Sequence, residues 1–161
     1  MKWNTHTQKS VKKGKQKLWY LRRLSKLKAS NSTLLDIYQK VIRSTLEQGV
    51  PIFSGGLSKT NSDDFESVQK SAFKVILRGE YHDYDNALDF LEQTTLKERR
   101  KEISLKFAKK NVNHPKMKHL FRRKKNLETR KGGKFIEPRY RTDRANNGPV
   151  NYLIRLLNGD Q

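Results

Sequence analysis

The stretch Leu18-Trp19-Tyr20-Leu21-Arg22-Arg23-Leu24-Ser25-Lys26-Leu27 places a leucine at every third position and fills the gaps with aromatic and basic side chains. Together with Val11 and Tyr20, the leucines spread over one broad side of a helix that turns 100° per residue. Lys12, Lys15, Arg22, Arg23 and Lys26 fall on the opposite side, within an arc of about 100° at 3.6 residues per turn. Trp19 lies in the middle of that arc. The pattern predicts a helix from Lys9 to Lys28, apolar on one side and cationic on the other.

Outward from this stretch the chain stays helical. Ser30 or Asn31 can cap a second helix, because a short side-chain oxygen satisfies free N–H groups at a helix start. Leu34, Leu35, Ile37, Tyr38, Val41, Ile42 and Leu46 give it an apolar face, and Gly49 and Pro51 stop it. Val50 to Leu57 reads as a loop, stiffened by Pro51 and bent at Gly55 and Gly56. A third helix begins near Asn61 or Ser62, with Asp63, Asp64 and Glu66 where the helix dipole favours anions. Phe65, Val68, Ala72, Val75 and Ile76 follow at helical spacing, and Gly79 is the expected stop. Tyr84, Ala87, Leu88 and Leu91 suggest a short fourth helix. Thr95-Leu96-Lys97-Glu98 is a capping box. It opens a fifth helix, with Leu96, Ile103 and Phe107 inside and Lys97, Arg100, Lys101 and Lys109 outside.

Past His114-Pro115 the regularity stops. Residues 116–148 are basic and poor in aliphatic side chains, and read as an extended or disordered arm. Val150, Tyr152, Leu153, Ile154, Leu156 and Leu157 suggest a short terminal helix. The expected fold is all-α: a bundle of about five helices over residues 1–113, then a basic, largely irregular extension over 114–161.

The 161 residues include 36 Lys and Arg against 16 acids, a net charge of +20. Residues 1–30 hold ten basic side chains and no acid, whereas residues 31–95 hold six basic and ten acidic ones. Residues 96–113 carry seven basic and two acidic, and residues 114–161 thirteen basic and four acidic. A mildly acidic middle is thus flanked by two cationic arms, which favours a polyanion as partner, nucleic acid first. The absence of cysteine excludes disulfides and thiolate zinc sites. No apolar run approaches a membrane span of about 20 residues. The polar, basic N-terminus does not look like a secretory signal. An intracellular protein of nucleus or cytoplasm is expected, with no membrane or small-molecule partner.

Candidate sites follow from this distribution. A flat aromatic among cations can stack on a sugar or base while the cations neutralise phosphates. Lys12, Lys15, Trp19, Arg22, Arg23 and Lys26 are therefore the first nucleic-acid-binding candidates; the plainer reading buries Trp19 and leaves the lysines solvated. Arg122, Arg123, Lys124 and Lys125, with Arg130, Lys131 and Lys134, form a second run suited to phosphates or nuclear import, or simply to water. Asp63-Asp64 precedes Phe65, but its polar flanks favour helix-start acids over a metal pair. His114 and His119 have no partner ligands. No nucleophilic triad and no phosphate-binding glycine loop is evident, so no catalytic or metal-binding residue is expected.

Several motifs also have an order in common with a known family. They are Lys2-Trp3-Asn4-Thr5-His6 followed by Lys12-Lys13 and Leu18 to Leu24; Leu34-Leu35 with Tyr38; and Ile42-Arg43 with Leu46, Gly49 and Pro51. Leu57 with Lys59, Val68-Gln69-Lys70 with Ala72 and Ile76, and Tyr84 with Ala87-Leu88 come next. Thr95-Leu96 with Arg99-Arg100, and Leu105 to Ala108, lead to the ending Arg141-Thr142 through Arg144, Pro149-Val150, Tyr152-Leu153 and Arg155 to Asn158. In this order they resemble the thumb and C-terminal region of LINE-type (non-LTR, jockey-like) retrotransposon reverse transcriptases. Phe53 stands where that family usually has Trp, and the cysteine-bearing zinc module of some relatives is lacking.

The resemblance implies a thumb-like bundle lying along a template–primer or RNA–DNA duplex, contacting its backbone, with the palm of a full-length reverse transcriptase as a further partner. It places the chain's opening near the palm–thumb junction. The paired aspartates that hold Mg²⁺ would then belong to an absent palm, leaving a fragment of an RNA-directed DNA polymerase with no cofactor and no activity of its own. It also implies a truncated or decayed transposable-element copy. Such an isolated thumb would leave Trp19 or nearby leucines exposed. The alternatives are a host-retained helical nucleic-acid or protein-interaction module, and an unrelated ribosomal-style RNA-binding protein.

Overall fold

The computed structural model describes residues 3–124 and 134–159. The described residues are helical throughout their regular structure, as an all-α fold requires; the one β-type pairing is an isolated bridge between Arg123 and Phe135. No helix among them is long and apolar enough to cross a membrane. The chain divides into two compact units, one of residues up to Gln48 with Ser58–Glu98, the other of Gly49–Leu57 with Arg99 onward. The expected division, between residues 113 and 114, rested on the loss of helical regularity there.

In the first unit, α1 (Asn4–Lys26) starts a turn earlier than expected. Its buried residues are Thr7, Ser10, Val11, Gly14, Leu18 and Leu21, spaced three or four apart along one stripe. A second helical rod is formed by α2 (Asn31–Ile37), a π-helical turn (Tyr38–Arg43) and α3 (Ser44–Glu47), opened by Ser30, whose side chain accepts the Thr33 N–H. Next in this unit comes α5 (Lys59–Leu77), α4 being the short helix Val50–Phe53 of the second unit. Its N-cap is Ser58, so Asp63 and Asp64 fall past the first turn, which contains no acid. The dipole explanation for that pair is corrected accordingly. The stop is corrected as well: Arg78, not Gly79, takes the left-handed backbone (φ 54).

Packing between α1 and α5 runs along their whole lengths. Asn61 Nδ2 donates to Asn4 Oδ1 at 2.9 Å at one end. At the other, the Arg78 guanidinium donates to Ser25 Oγ, Ser25 O and Ala29 O at 2.8–3.2 Å, covering carbonyls at the C-terminal end of α1. The two helices therefore run in the same direction. Between these ties the core contains Leu18, Leu21, Leu34, Tyr38, Ile42, Phe65, Val68, Phe73 and Ile76, all but inaccessible to solvent. Tyr38 OH donates to Gln69 Oε1 (2.8 Å), and Gln69 Nε2 donates to Thr94 O (2.9 Å), so the polar atoms of these two buried side chains are paired.

Helix α6 (Tyr84–Phe90) is capped by Asp83, and α7 (Leu96–Asn111) opens at the expected capping box: Glu98 N–H donates to Thr95 Oγ1 and Thr95 N–H to Glu98 Oε2. Glu66 adds a second cap from α5, accepting the Leu96 and Lys97 N–H groups at 3.2 and 2.8 Å and the Tyr84 hydroxyl at 2.6 Å.

In the second unit, Val50 to Leu57 is not a loop. Val50–Phe53 forms a short helix, α4, with Pro51 near its start, followed by a 3₁₀ turn at Ser54–Gly56. Proline is tolerated in a first helical turn because its missing N–H would have no partner there. The α7 residues on this side also differ from expectation: Arg100, Ser104 and Ala108 are buried, whereas Ile103 and Phe107 are half-buried. Arg100, expected outside, is thus inside. Residues 116–148 do not read as a bare arm where they are described. Phe121 and Phe135 join Ala108, Leu153 and Ile154 in one core. The expected terminal helix is α9 (Pro149–Asn158), preceded by α8 (Asp143–Asn146). Asn158 pins Phe135 through both its backbone N–H and C=O, at 3.0 and 3.1 Å.

Replacing Glu66 with Ala is expected to lower unfolding stability by about 1–3 kcal/mol, measured by urea denaturation, because three donors lose their acceptor. Burial, then the Glu66 hydrogen bond, hold the Tyr84 hydroxyl well above its ordinary pKa of 10.0. The folded state therefore keeps this proton more tightly than the unfolded chain. Its stabilisation is present below that ordinary value and declines as pH rises past it, a decline that Tyr84→Phe should remove. Gly55→Ala would set a Cβ 2.5 Å from Tyr152 Cβ and 2.9 Å from the Asn147 carbonyl oxygen. Its thermal midpoint should drop by several degrees, whereas Gly79→Ala, which meets nothing within 4 Å, serves as the neutral control.

Candidate nucleic-acid interface

The stripe that α1 buries decides what it shows to solvent. Lys12, Lys15, Trp19, Arg22, Arg23 and Lys26 are all exposed, on the side of α1 away from Gly14 and Leu18. From Lys12 to Lys26 the helix rises about 21 Å at 1.5 Å per residue. Among the described residues, no hydrogen bond or ion pair holds the side chains of Lys12, Lys15, Arg22, Arg23 or Lys26. Lys17, which the helical period places outside that arc, behaves differently. Its Nζ donates to Thr45 Oγ1 at 2.6 Å and to Val41 O at 3.2 Å, so its charge serves the packing of α1 on the second rod.

Trp19 is 58% exposed and Tyr20 53%. Tyr20 was expected beside the leucines and is instead an outer residue next to Trp19. Leu27, 71% exposed, also leaves the apolar side. Leucines three apart fall 60° short of a full turn at each step, so Leu27 points away from Leu18. Near the start of α1, Gln8, Val11, Lys12, Lys15 and Gln16 line a groove of about 500 Å³ with Asp64 on its other wall.

The second cationic run lies in the second unit. Arg122 and Arg123 are exposed and Lys124 is half-buried. The backbone here is paired: Ile136 N–H donates to Arg122 O at 2.8 Å and Lys124 N–H to Lys134 O at 3.1 Å. Lys125, Arg130 and Lys131 lie outside the described residues. Arg155, which was not among the candidate site residues, sets its guanidinium against Glu137 Oε1 at 2.6 Å and also donates to Asn146 O and Asn147 Oδ1. It borders a groove of about 730 Å³ with Lys124, Arg139 and Asp143. No group of three or more His, Cys, Asp or Glu side chains suited to a metal ion occurs among the described residues. His114 Nδ1 accepts the Lys116 N–H in a local turn.

Residues 3–44 match the family described as alkylated DNA repair protein alkB homolog 8, N-terminal. The match includes α1 and α2 and ends in the second rod, short of half the chain. No curated protein matches, and no solved structure does. The family match corrects the resemblance to LINE-type reverse transcriptases. The region that opened that comparison, from Trp3 to Arg43, aligns with a different class of protein, and the polymerase and transposable-element attributes fall with it.

Lys17→Ala is expected to lower the thermal midpoint while leaving any salt-dependent binding of the chain nearly unchanged. Lys15→Ala should do the reverse. Equal destabilisation by both would show that the outer lysines also support the fold.

Proposed function

We propose that the protein is a nucleic-acid-binding module that holds the sugar–phosphate backbone of an RNA or DNA duplex along the outer face of α1. The observation that carries this reading is the set of five exposed cations, Lys12, Lys15, Arg22, Arg23 and Lys26, on one side of one helix and without partners among the described residues. Backbone contacts of this kind position a duplex without reading its sequence. Their span of about 21 Å equals roughly six phosphate steps of 3.4 Å along one strand, which suits a helix lying along a strand rather than across it. The description of the family matched over residues 3–44, a DNA-repair protein, is in keeping with such a partner. The proposed role is binding, and no reaction is assigned to it. Arg122, Arg123 and Lys124 of the second unit are proposed, separately, as phosphate contacts of the same kind.

A salt titration of duplex binding tests the proposal. Each phosphate neutralised contributes about −0.9 to the slope of log affinity against log salt on B-form DNA. Changing Lys12, Lys15, Arg22 and Arg23 together to Gln should flatten that slope by about 3 to 4. A slope and affinity unchanged by the quadruple substitution would remove α1 from the interface.

A further inference from the structure

Trp19 and Tyr20 stand side by side on the exposed part of α1, and each keeps more than half of its surface in water. Their ring centroids are 5.3 Å apart and their planes meet at 78°. The pair therefore forms a corner in which one ring sets its edge against the other's face. Other aromatic rings of the same unit are covered by lysines: Lys70 Nζ lies 4.8 Å from the Tyr84 ring centre and Lys74 Nζ 5.4 Å from that of Tyr81. No cation of the protein sits over Trp19 or Tyr20 among the described residues. Yet Lys15, Arg22 and Arg23 surround Trp19 at the three- and four-residue spacings that make side chains on a helix neighbours, with Lys26 one turn farther on.

Open aromatic faces set among unpaired cations form a surface that takes a nucleotide whole, the base by stacking and its phosphates by charge. A base inside a duplex has both faces covered by its neighbours, so it has none to offer. An unpaired base has one. The perpendicular planes also limit the number: a base stacked on one ring meets the other ring at its own edge, so the corner holds one base rather than a stacked run. Another protein is a poorer fit, because the surroundings of the pair are charged rather than apolar.

We infer that the Trp19–Tyr20 corner receives one unpaired base, so that α1 binds nucleic acid where a duplex gives way to single strand. The inference rests on the reading that the α1 cations hold phosphates. It adds a substrate class, a duplex with a single-stranded overhang, and a residue, Tyr20, that charge alone does not select. Every base has a stackable face, so little dependence on base identity is expected.

The test titrates the whole chain with three DNAs: a blunt duplex, the same duplex with a short thymidine overhang, and the same duplex with an abasic overhang of equal length. The last two carry equal numbers of phosphates and differ only in bases. The thymidine overhang should bind roughly five- to hundredfold more tightly than the abasic one. Tyr20→Ala should abolish that difference and leave the blunt duplex nearly unaffected; Trp19→Ala should abolish it too, while Trp19→Phe keeps part of it. Both side chains are exposed, so unchanged thermal midpoints are expected for these variants. If the two overhangs bind equally while the blunt duplex still binds, the corner is overturned and the charge reading stands. If none of the three DNAs binds, both are refuted.

Discussion

The close approach of α1 to its neighbours is the constraint from which the rest of the first unit follows. Thr7, Ser10 and Gly14 give the first half of the helix an inner stripe with little side-chain bulk. A Cβ at Gly14 would lie 2.9 Å from Leu46 Cδ2 and 3.2 Å from Val68 Cγ1, so both α5 and the second rod press against this point. Turning α1 by even one residue step would bring a lysine inward in place of this stripe, at a cost of several kcal/mol for an unpaired buried charge. Packing thus fixes the rotation of the helix, and the rotation fixes which cations face water. The outer face of α1 is set by what its inner face cannot accommodate.

Features carried by short-range chemistry were legible in the sequence. Ser30 and the Thr95–Glu98 box cap the helices they were expected to open, because a cap needs only residues a few positions apart. The cationic arc was legible too, since charged side chains seldom go inside and their angular positions follow from the helical period. The apolar side of α1 was misjudged because a three-residue leucine repeat winds around a helix instead of staying on one face. The true inner stripe includes Gly14, Ser10 and Thr7, which carry no hydrophobic signal. The same failing appears in α7, where Arg100, Ser104 and Ala108 go inside. Only the identity of the packing partner decides that. The ring contact of Phe121 with Phe135, and the hold of Asn158 on the Phe135 backbone, are long-range matters that no local pattern announces.

The corrected family likeness has a related cause. Leucines, lysines and paired aromatics at helical spacing describe any basic amphipathic helix, so a succession of such motifs constrains chemistry far more than ancestry. The match over residues 3–44 falls on the cationic helix and the rod that packs against it, the part of the chain in which that chemistry is densest. What survives the correction is what never depended on it: helices, a cationic outer face and an exposed aromatic pair.

The acidic middle of the chain bears most directly on whether that face remains available. Several of its carboxylates are engaged where they stand: Glu66 caps α7, Asp83 caps α6, Asp36 pairs with Lys40 four residues on, and Glu47 with Arg43. In the second unit Glu102 meets Lys106 and Glu137 meets Arg155. Asp64 alone borders the groove that Lys12 and Lys15 line, with no ion pair to either. One carboxylate cannot neutralise five cations strung over about 21 Å when screening in physiological salt acts over only about 8 Å. The excess positive charge therefore belongs to the solvent-facing side of α1 and holds a layer of counter-ions there. A polyanion that takes their place gains the entropy of releasing its own counter-ions, a drive that grows with the number of aligned charges rather than with any single contact.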